Sequence, residues 1–232
     1  RTQQGMIQKT MRTTILLLLI GLTQGWAQPE MRKISGHISL QVSVERNLHS
    51  LSPYARTRYA KPSAPKLKPN EITEVVLFIP SQPAFDAIPL VPDTFTIEQR
   101  NMQLIPHMLV IPVGSVVSFP NRDDVFHNIF SLSPTKRFDL GRFPEGESRQ
   151  VMFDRPGVVK VFCDIHAEMN AIVYVTDTPV YTRPDGAGNF ELSGIPPGKY
   201  DLYVWHDLAG ETIVPVDLTQ ANNTDLNLSI GR

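Results

Sequence analysis

Residues 157–175 read GVVKVFCDIHAEMNAIVYV, two alternating apolar runs joined by a short polar loop. Alternation with a period of two is typical of β-strands that bury one face. In the first run the apolar row ends at Cys163, and in the second it begins at Met169. The stretch therefore predicts two strands whose buried rows meet at the loop between them.

The rest of the chain has the same texture. Short apolar runs are broken by Gly, Pro, Asn and Asp, and helical periodicity is nearly absent, which is typical of an all-β protein. We predict two strands in 107–132, separated by a Pro-Asn-Arg-Asp-Asp turn, and two more in 148–163. Residues 47–70 are predicted to form a loop, and the polar residues 219–230 to close the chain after a last strand.

Composition excludes one class of partner. The 232 residues include 22 basic and 23 acidic side chains, and the basic residues do not cluster. A nucleic-acid-binding protein normally carries a basic patch, so we expect no nucleic-acid partner.

The N-terminal part has the pattern of an export signal. Within residues 11–27 a basic residue precedes the apolar run 15–22, and small residues occupy the positions of a cleavage site. Such a run is too short to span a bilayer. We predict that residues 1–27 are absent from the mature protein, which is periplasmic or secreted and does not stay inserted in the membrane. An uncleaved anchor is the alternative.

Cys163 is the only cysteine of the chain. A secreted protein normally pairs its cysteines, and an unpaired one needs an explanation. Three remain open at this point: a disulfide to another chain, a buried unreactive thiol, or a thiolate held by a metal ion.

The spacing around Cys163 favours the metal. Cys163, His166 and Met169 form a C-x-x-H-x-x-M pattern, and His127 lies on an upstream strand of the same block. Two imidazoles and a thiolate with a weak thioether suit copper that changes oxidation state. Zinc fits worse, because thioethers are poor zinc ligands.

The quoted residues resemble those of cupredoxins. The resemblance lies in GSVVSFPNRDDVFHNIF (114–130) and GVVKVFCDIHAEMNAIVYV. More loosely, most of residues 72–206 are similar to plastocyanin-like methylamine-utilisation proteins. The resemblance implies a Greek-key β-sandwich and a single type 1 copper ion.

The resemblance also implies roles for individual residues. The copper ligands would be His127, Cys163, His166 and Met169, and Asn128 would brace the cysteine loop. Redox partners would dock near His166, on an apolar patch for which the candidates are Phe126, Pro134 and Ala167. The implied function is to carry single electrons, not to catalyse a reaction.

Glu168 leaves two other functions open. A carboxylate in place of Met169 would give copper an open position and the reactivity of a small-molecule enzyme. A copper-trafficking or scavenging protein would use the same ligands without a redox partner. A vestigial site within a binding protein is a further alternative.

The flanking segments predict a second, smaller β-sandwich. TRPDGAGNFELSGIPPGKYDLYVWHD (182–207) resembles the second half of a carboxypeptidase-regulatory-like (transthyretin-like) domain, whose opening strands are missing after residue 177. Strands of that type occur before the central block, so we predict one sandwich split in sequence. The predicted divisions are 1–27, 34–80, 94–176 and 178–232.

The remaining polar residues of interest are predicted to be structural. His107 is predicted to be a strand-edge residue, with a second metal role as the alternative, and His37, His49 and His206 are predicted to be structural or on the surface. Asp123 and Asp124 are predicted to form a solvated turn.

Overall fold

A computed structural model describes residues 30–41, 71–220 and 223–231, and confirms the all-β prediction. The predicted signal segment and the whole of the predicted loop at 47–70 lie outside these residues. Two short 3-10 helices span Glu71–Glu74 and Pro83–Phe85. The strands of the described residues are β1 (Arg32–Gln41), β2 (Val76–Phe78), β3 (Thr94–Thr96), β4 (Glu98–Arg100), β5 (Gln103–Ile105), β6 (Met108–Pro112), β7 (Val116–Pro120), β8 (His127–Leu132), β9 (Arg137–Phe143), β10 (Ser148–Met152), β11 (Gly157–Cys163), β12 (Asn170–Thr176), β13 (Tyr181–Thr182), β14 (Asn189–Ile195), β15 (Lys199–His206), β16 (Gly210–Asp217) and β17 (Asn223–Gly231).

Strands β3 to β12 form the central unit. Its five-stranded sheet has the order β6-β12-β11-β8-β9, and its three-stranded sheet the order β10-β7-β3. β4 and β5 form a separate hairpin, in which Gln99 pairs with Asn121, the residue directly after β7. The residues that alternate inward on β11 and β12, from Val159 to Cys163 and from Ala171 to Val175, are buried between the two sheets. This confirms the predicted strand pair and its inward face.

The segments on either side of the central unit pair with each other and form the flanking unit, β1, β2 and β13–β17. One sheet has the order β14-β1-β17, with β1 and β17 parallel, and the other has the order β13-β2-β15-β16. Apolar residues of both sheets, among them Ile34, Leu77 and Leu202, share one core.

The two units pack face to face. Val76, Met108 and Ile172 are buried where the sheet containing β2 meets the five-stranded sheet. The Tyr174 ring lies 5.1 Å from Trp205 between ring centroids, and Lys160 pairs with Asp207 at 2.7 Å. Alternation explains this packing, because successive residues of β12 face opposite cores.

Two strand predictions are wrong. Residues 107–132 form three strands, since the chain turns at Gly114 (φ +89°) and passes from one sheet to the other. Glycine adopts such a backbone conformation at little cost. The residues predicted as a polar closing segment form most of β17, whose Leu226, Leu228 and Ile230 alternate against the flanking core.

Within the described residues, no helix has the length and apolar character needed to cross a membrane.

Candidate metal centre

The loop between β11 and β12 brings Cys163 and His166 together. Cys163 is the last residue of β11, and its amide donates to the carbonyl of Met169 at 3.0 Å. The Met169 amide donates back to the His166 carbonyl, also at 3.0 Å. The loop is thus closed by its own backbone, and Met169, directly before β12, has its side chain in the core.

His127 reaches the same point from the neighbouring strand. It is the first residue of β8, and Cys163 is paired with Ile129 of that strand. The Cys163 Sγ atom lies 3.9 Å from Nδ1 of His127 and 3.9 Å from Nδ1 of His166, and the two nitrogens are 3.1 Å apart. Among the described residues, this is the one group of three His, Cys, Asp or Glu donors with metal-site spacing.

The spacing of the donor atoms fits one metal ion. A circle through three points with these separations has a radius of about 2.1 Å, within the roughly 2.0–2.3 Å of metal–nitrogen and metal–sulfur bonds. Cys163 and His127 are 1 % and 0 % exposed, and His166 is half-buried. A single ion therefore fits between the three donors, largely shielded from solvent.

Asp123 fixes the orientation of the His127 ring. Nε2 of His127 donates to Oδ2 of Asp123 at 2.9 Å. A neutral imidazole that donates from Nε2 has its lone pair on Nδ1, which is the nitrogen facing Cys163. The carboxylate thus holds His127 in the form that binds a metal.

Asp123 is itself held by the turn of the β4–β5 hairpin. The Asn101 and Met102 amides donate to its two carboxylate oxygens at 2.5 and 2.9 Å. Both residues have φ of +54°, a backbone conformation that residues other than glycine rarely adopt. Burial alone raises the pKa of Asp123, but hydrogen bonds from both amides and from His127 outweigh it and lower the pKa below its usual value. Asp123 is therefore not the solvated turn residue that we predicted.

The other predicted site residues differ in their surroundings. Met169 is 0 % exposed, whereas Glu168 lies on the surface. Asn128 is buried, and its Oδ1 has no hydrogen-bond partner within the part of the chain that the structure describes. The brace from Asn128 to the cysteine loop stays a prediction.

The remaining histidines of the described ranges lie apart from the three donors. His37 contacts the Ala187 carbonyl in the flanking unit. His206 is buried, and its Nδ1 accepts from the Leu208 and Ala209 amides; burial lowers its pKa. His107 contacts Glu74 and Asn170. His49 lies outside the described residues.

Asp123 was not predicted to be a partner of the site. Its spacing of four residues before His127 was the available signal. That spacing has no fixed meaning outside a helix, and only the turn between β7 and β8 folds the carboxylate onto the ring.

Comparison with solved structures gives matches to copper proteins. The chain is 28% identical to a purple cupredoxin from Nitrosopumilus maritimus, over 35% of this chain and 99% of that one, with a TM-score of 0.33. It is 26% identical to a copper-containing nitrite reductase from Thermus scotoductus SA-01, over 41% of this chain and 25% of the reductase, with a TM-score of 0.34. The chain is 20% identical to amicyanin, over 43% of this chain and 97% of amicyanin, with a TM-score of 0.34.

No family model matches the chain, and no curated protein matches it either. Over about two fifths of its length the chain is similar to solved cupredoxins, as the sequence predicts.

Proposed function

We propose that His127, Cys163 and His166 bind one copper ion and that the protein carries single electrons between redox partners. The observation that carries this proposal is the buried triangle of one sulfur and two imidazole nitrogens. Thiolate favours Cu(I), imidazole serves both oxidation states, and this trigonal set is typical of copper electron-transfer centres. Bound copper would supply a one-electron couple.

Burial supports Met169 as the weak fourth ligand. Its side chain is fully enclosed in the same core as Cys163, whereas Glu168 faces solvent. A carboxylate ligand would have to turn inward from the surface at the cost of its hydration. This difference favours an electron carrier over an enzyme with a carboxylate ligand and an open copper position.

The chain itself would keep the site rigid and dry. Asp123 holds His127 in one tautomer, and the two backbone hydrogen bonds of Met169, to Cys163 and to His166, hold the loop. Donors fixed in advance reduce the rearrangement that accompanies a change of charge. The half-buried His166 would be the exit for the electron.

We propose that redox partners dock on the surface around His166. Phe126 and Ile165, neighbours in sequence of His127 and His166, are 56 % and 41 % exposed, and Ala167 is also exposed. Pro134 does not belong to this surface. It lies in the β8–β9 turn beside Thr135. Thr135 contacts Gly157, the first residue of β11, whereas Cys163 is the last residue of that strand.

The predicted signal segment supports a periplasmic or secreted location. In such a compartment a bare thiol is exposed to oxidation. Copper on Cys163 would occupy the thiolate and protect it.

Electron self-exchange of the copper-loaded protein tests this function. Ile165→Lys puts like charges face to face when two molecules meet at His166, so we expect exchange to slow roughly tenfold or more at low salt. Leu132→Lys is the control, since Leu132 is equally apolar and 52 % exposed at the far end of β8. Exchange is measured by NMR line broadening in mixtures of reduced and oxidised protein. Slow exchange already in the unaltered protein would favour copper trafficking instead.

A further inference from the structure

A hydrogen-bonded bridge connects the flanking unit to the metal loop. Glu74 ends the 3-10 helix before β2, and its Oε1 lies 2.7 Å from Nδ1 of His107. Nε2 of His107 lies 3.0 Å from Oδ1 of Asn170. Asn170 directly follows Met169. The bridge thus runs from one unit, through His107, to the residue beside the proposed fourth copper ligand.

The contacts of Asn170 define which groups donate. Its Nδ2 donates to the Glu168 carbonyl at 3.0 Å, which leaves Oδ1 to accept from His107. Glu74 presents a carboxylate oxygen to the other ring nitrogen. Beside an ionised Glu74, His107 makes both contacts as an imidazolium that donates from each ring nitrogen.

The surroundings of Glu74 hold further positive or titratable groups. Arg183 donates to the carbonyls of Thr73 and Met108, one on each side of the bridge. His206 also lies close enough to Glu74 to interact electrostatically. Glu74 is therefore the negative centre of this part of the contact between the units, and the His107 side chain, 26% exposed, is held in a partly enclosed ion pair.

The backbone joins the bridge to the donor loop. The Ile172 amide donates to the His107 carbonyl at 2.7 Å, beside the contact between the His107 and Asn170 side chains. Asn170 is therefore held to His107 by its own amide group and by the strand it begins. A shift of Asn170 moves Met169, whose carbonyl and amide close the loop that contains Cys163 and His166.

We propose that the Glu74–His107–Asn170 bridge is a positioning device through which the flanking unit holds the Cys163–Met169 loop in its metal-binding conformation. His107 and Glu74 act through Asn170 and are positioning residues, since the bridge reaches the loop at the Asn170 side chain. The consequence for copper rests on the proposed function, but the effect on the loop does not.

Amide hydrogen exchange in the full-length, metal-free protein tests the bridge. In His107→Gln and in Glu74→Gln, we expect the Cys163 and Met169 amides to exchange about tenfold faster, because a charge-assisted hydrogen bond that holds the loop closed is lost. His37→Gln is the matched control, since it removes a histidine that hydrogen-bonds through a ring nitrogen but lies in β1 of the flanking unit. It should leave both rates unchanged.

Two results would overturn the proposal. One is a change of less than threefold at both amides in both variants. The other is an equal acceleration of the β7 amides, which lie in the opposite sheet of the central unit, because that would indicate general destabilisation.

A second readout extends the test to copper. We expect both bridge variants, and not His37→Gln, to shift the reduction potential and the visible spectrum of the copper-loaded protein. If the unaltered protein bound no copper, the proposed function would fail while the exchange rates still decided the bridge. Unchanged potential and spectrum in both variants would overturn the extension to copper.

Discussion

A chain shortened by residues 178–232 will lose the folded state of β1 and β2. β1 lies between β14 and β17, and β2 between β13 and β15, so all four neighbours are removed together. The apolar side chains of Ile34, Ile38 and Leu77 would then be exposed to water, at a cost of about 1.5–3 kcal/mol for each side chain. Limited proteolysis with mass spectrometry should cut within β1 and β2, at residues 32–41 and 76–78, in the shortened chain and spare both strands in the full one.

A point substitution tests the same split sandwich in the full-length chain. A Cβ at Gly36 would lie 2.0 Å from the Leu226 carbonyl oxygen of β17, whereas a Cβ at Gly186 would meet nothing within 4 Å. We expect Gly36→Ala to destabilise the protein by roughly 1–3 kcal/mol, as overpacking does, and Gly186→Ala to leave its melting temperature unchanged. Equal melting temperatures of Gly36→Ala and Gly186→Ala would contradict the prediction that the flanking segments form one sandwich. A shortened chain with the melting temperature of the full one would contradict it as well.

The second large effect is expected at Asp123. Asp123→Asn leaves one carboxamide oxygen where two carboxylate oxygens accept from Asn101, Met102 and His127. The new amide nitrogen would replace either Oδ1, opposite the Asn101 N–H, or Oδ2, opposite the Met102 and His127 N–H groups. In either case the carboxylate that keeps the proton on Nε2 of His127 is gone, which makes the tautomer with a proton on Nδ1 easier to reach. Because that nitrogen is a proposed copper ligand, copper affinity should fall roughly 10–100-fold.

Asp124 provides the matched control for this measurement. It adjoins Asp123 in the same turn but is exposed, so Asp124→Asn makes the same change of charge without altering His127. Competition with a chelator of known copper affinity gives both constants. Equal affinity in the two variants would show that Asp123 does not orient His127.

The sequence predicts the parts of the site that are close in the chain. Cys163, His166 and Met169 are linked by one loop, so strand alternation and a three-residue spacing suffice to place them. His127 is predicted from its position on another strand of the same block, and the pairing of β8 with β11 brings it to Cys163.

Contacts between distant segments could not be predicted in this way. Asp123 meets Asn101 and Met102 because a separate hairpin folds onto the β7–β8 turn, and His107 meets Glu74 because the two units pack together. β17 was missed because its polar residues mask a short row of alternating apolar ones, whose partner strand β1 is almost two hundred residues earlier. Period and composition carry no information on such pairings.

The visible absorption spectrum after addition of one equivalent of Cu(II) tests whether His127, Cys163 and His166 bind copper. We predict an intense thiolate-to-copper charge-transfer band, which saturates at one copper per chain and is absent in Cys163→Ala. Only a thiolate bound to copper gives this band, so its loss identifies Cys163 as the ligand. A protein that stays colourless, or a band that persists in Cys163→Ala, would contradict the assignment of His127, Cys163 and His166 as a copper centre.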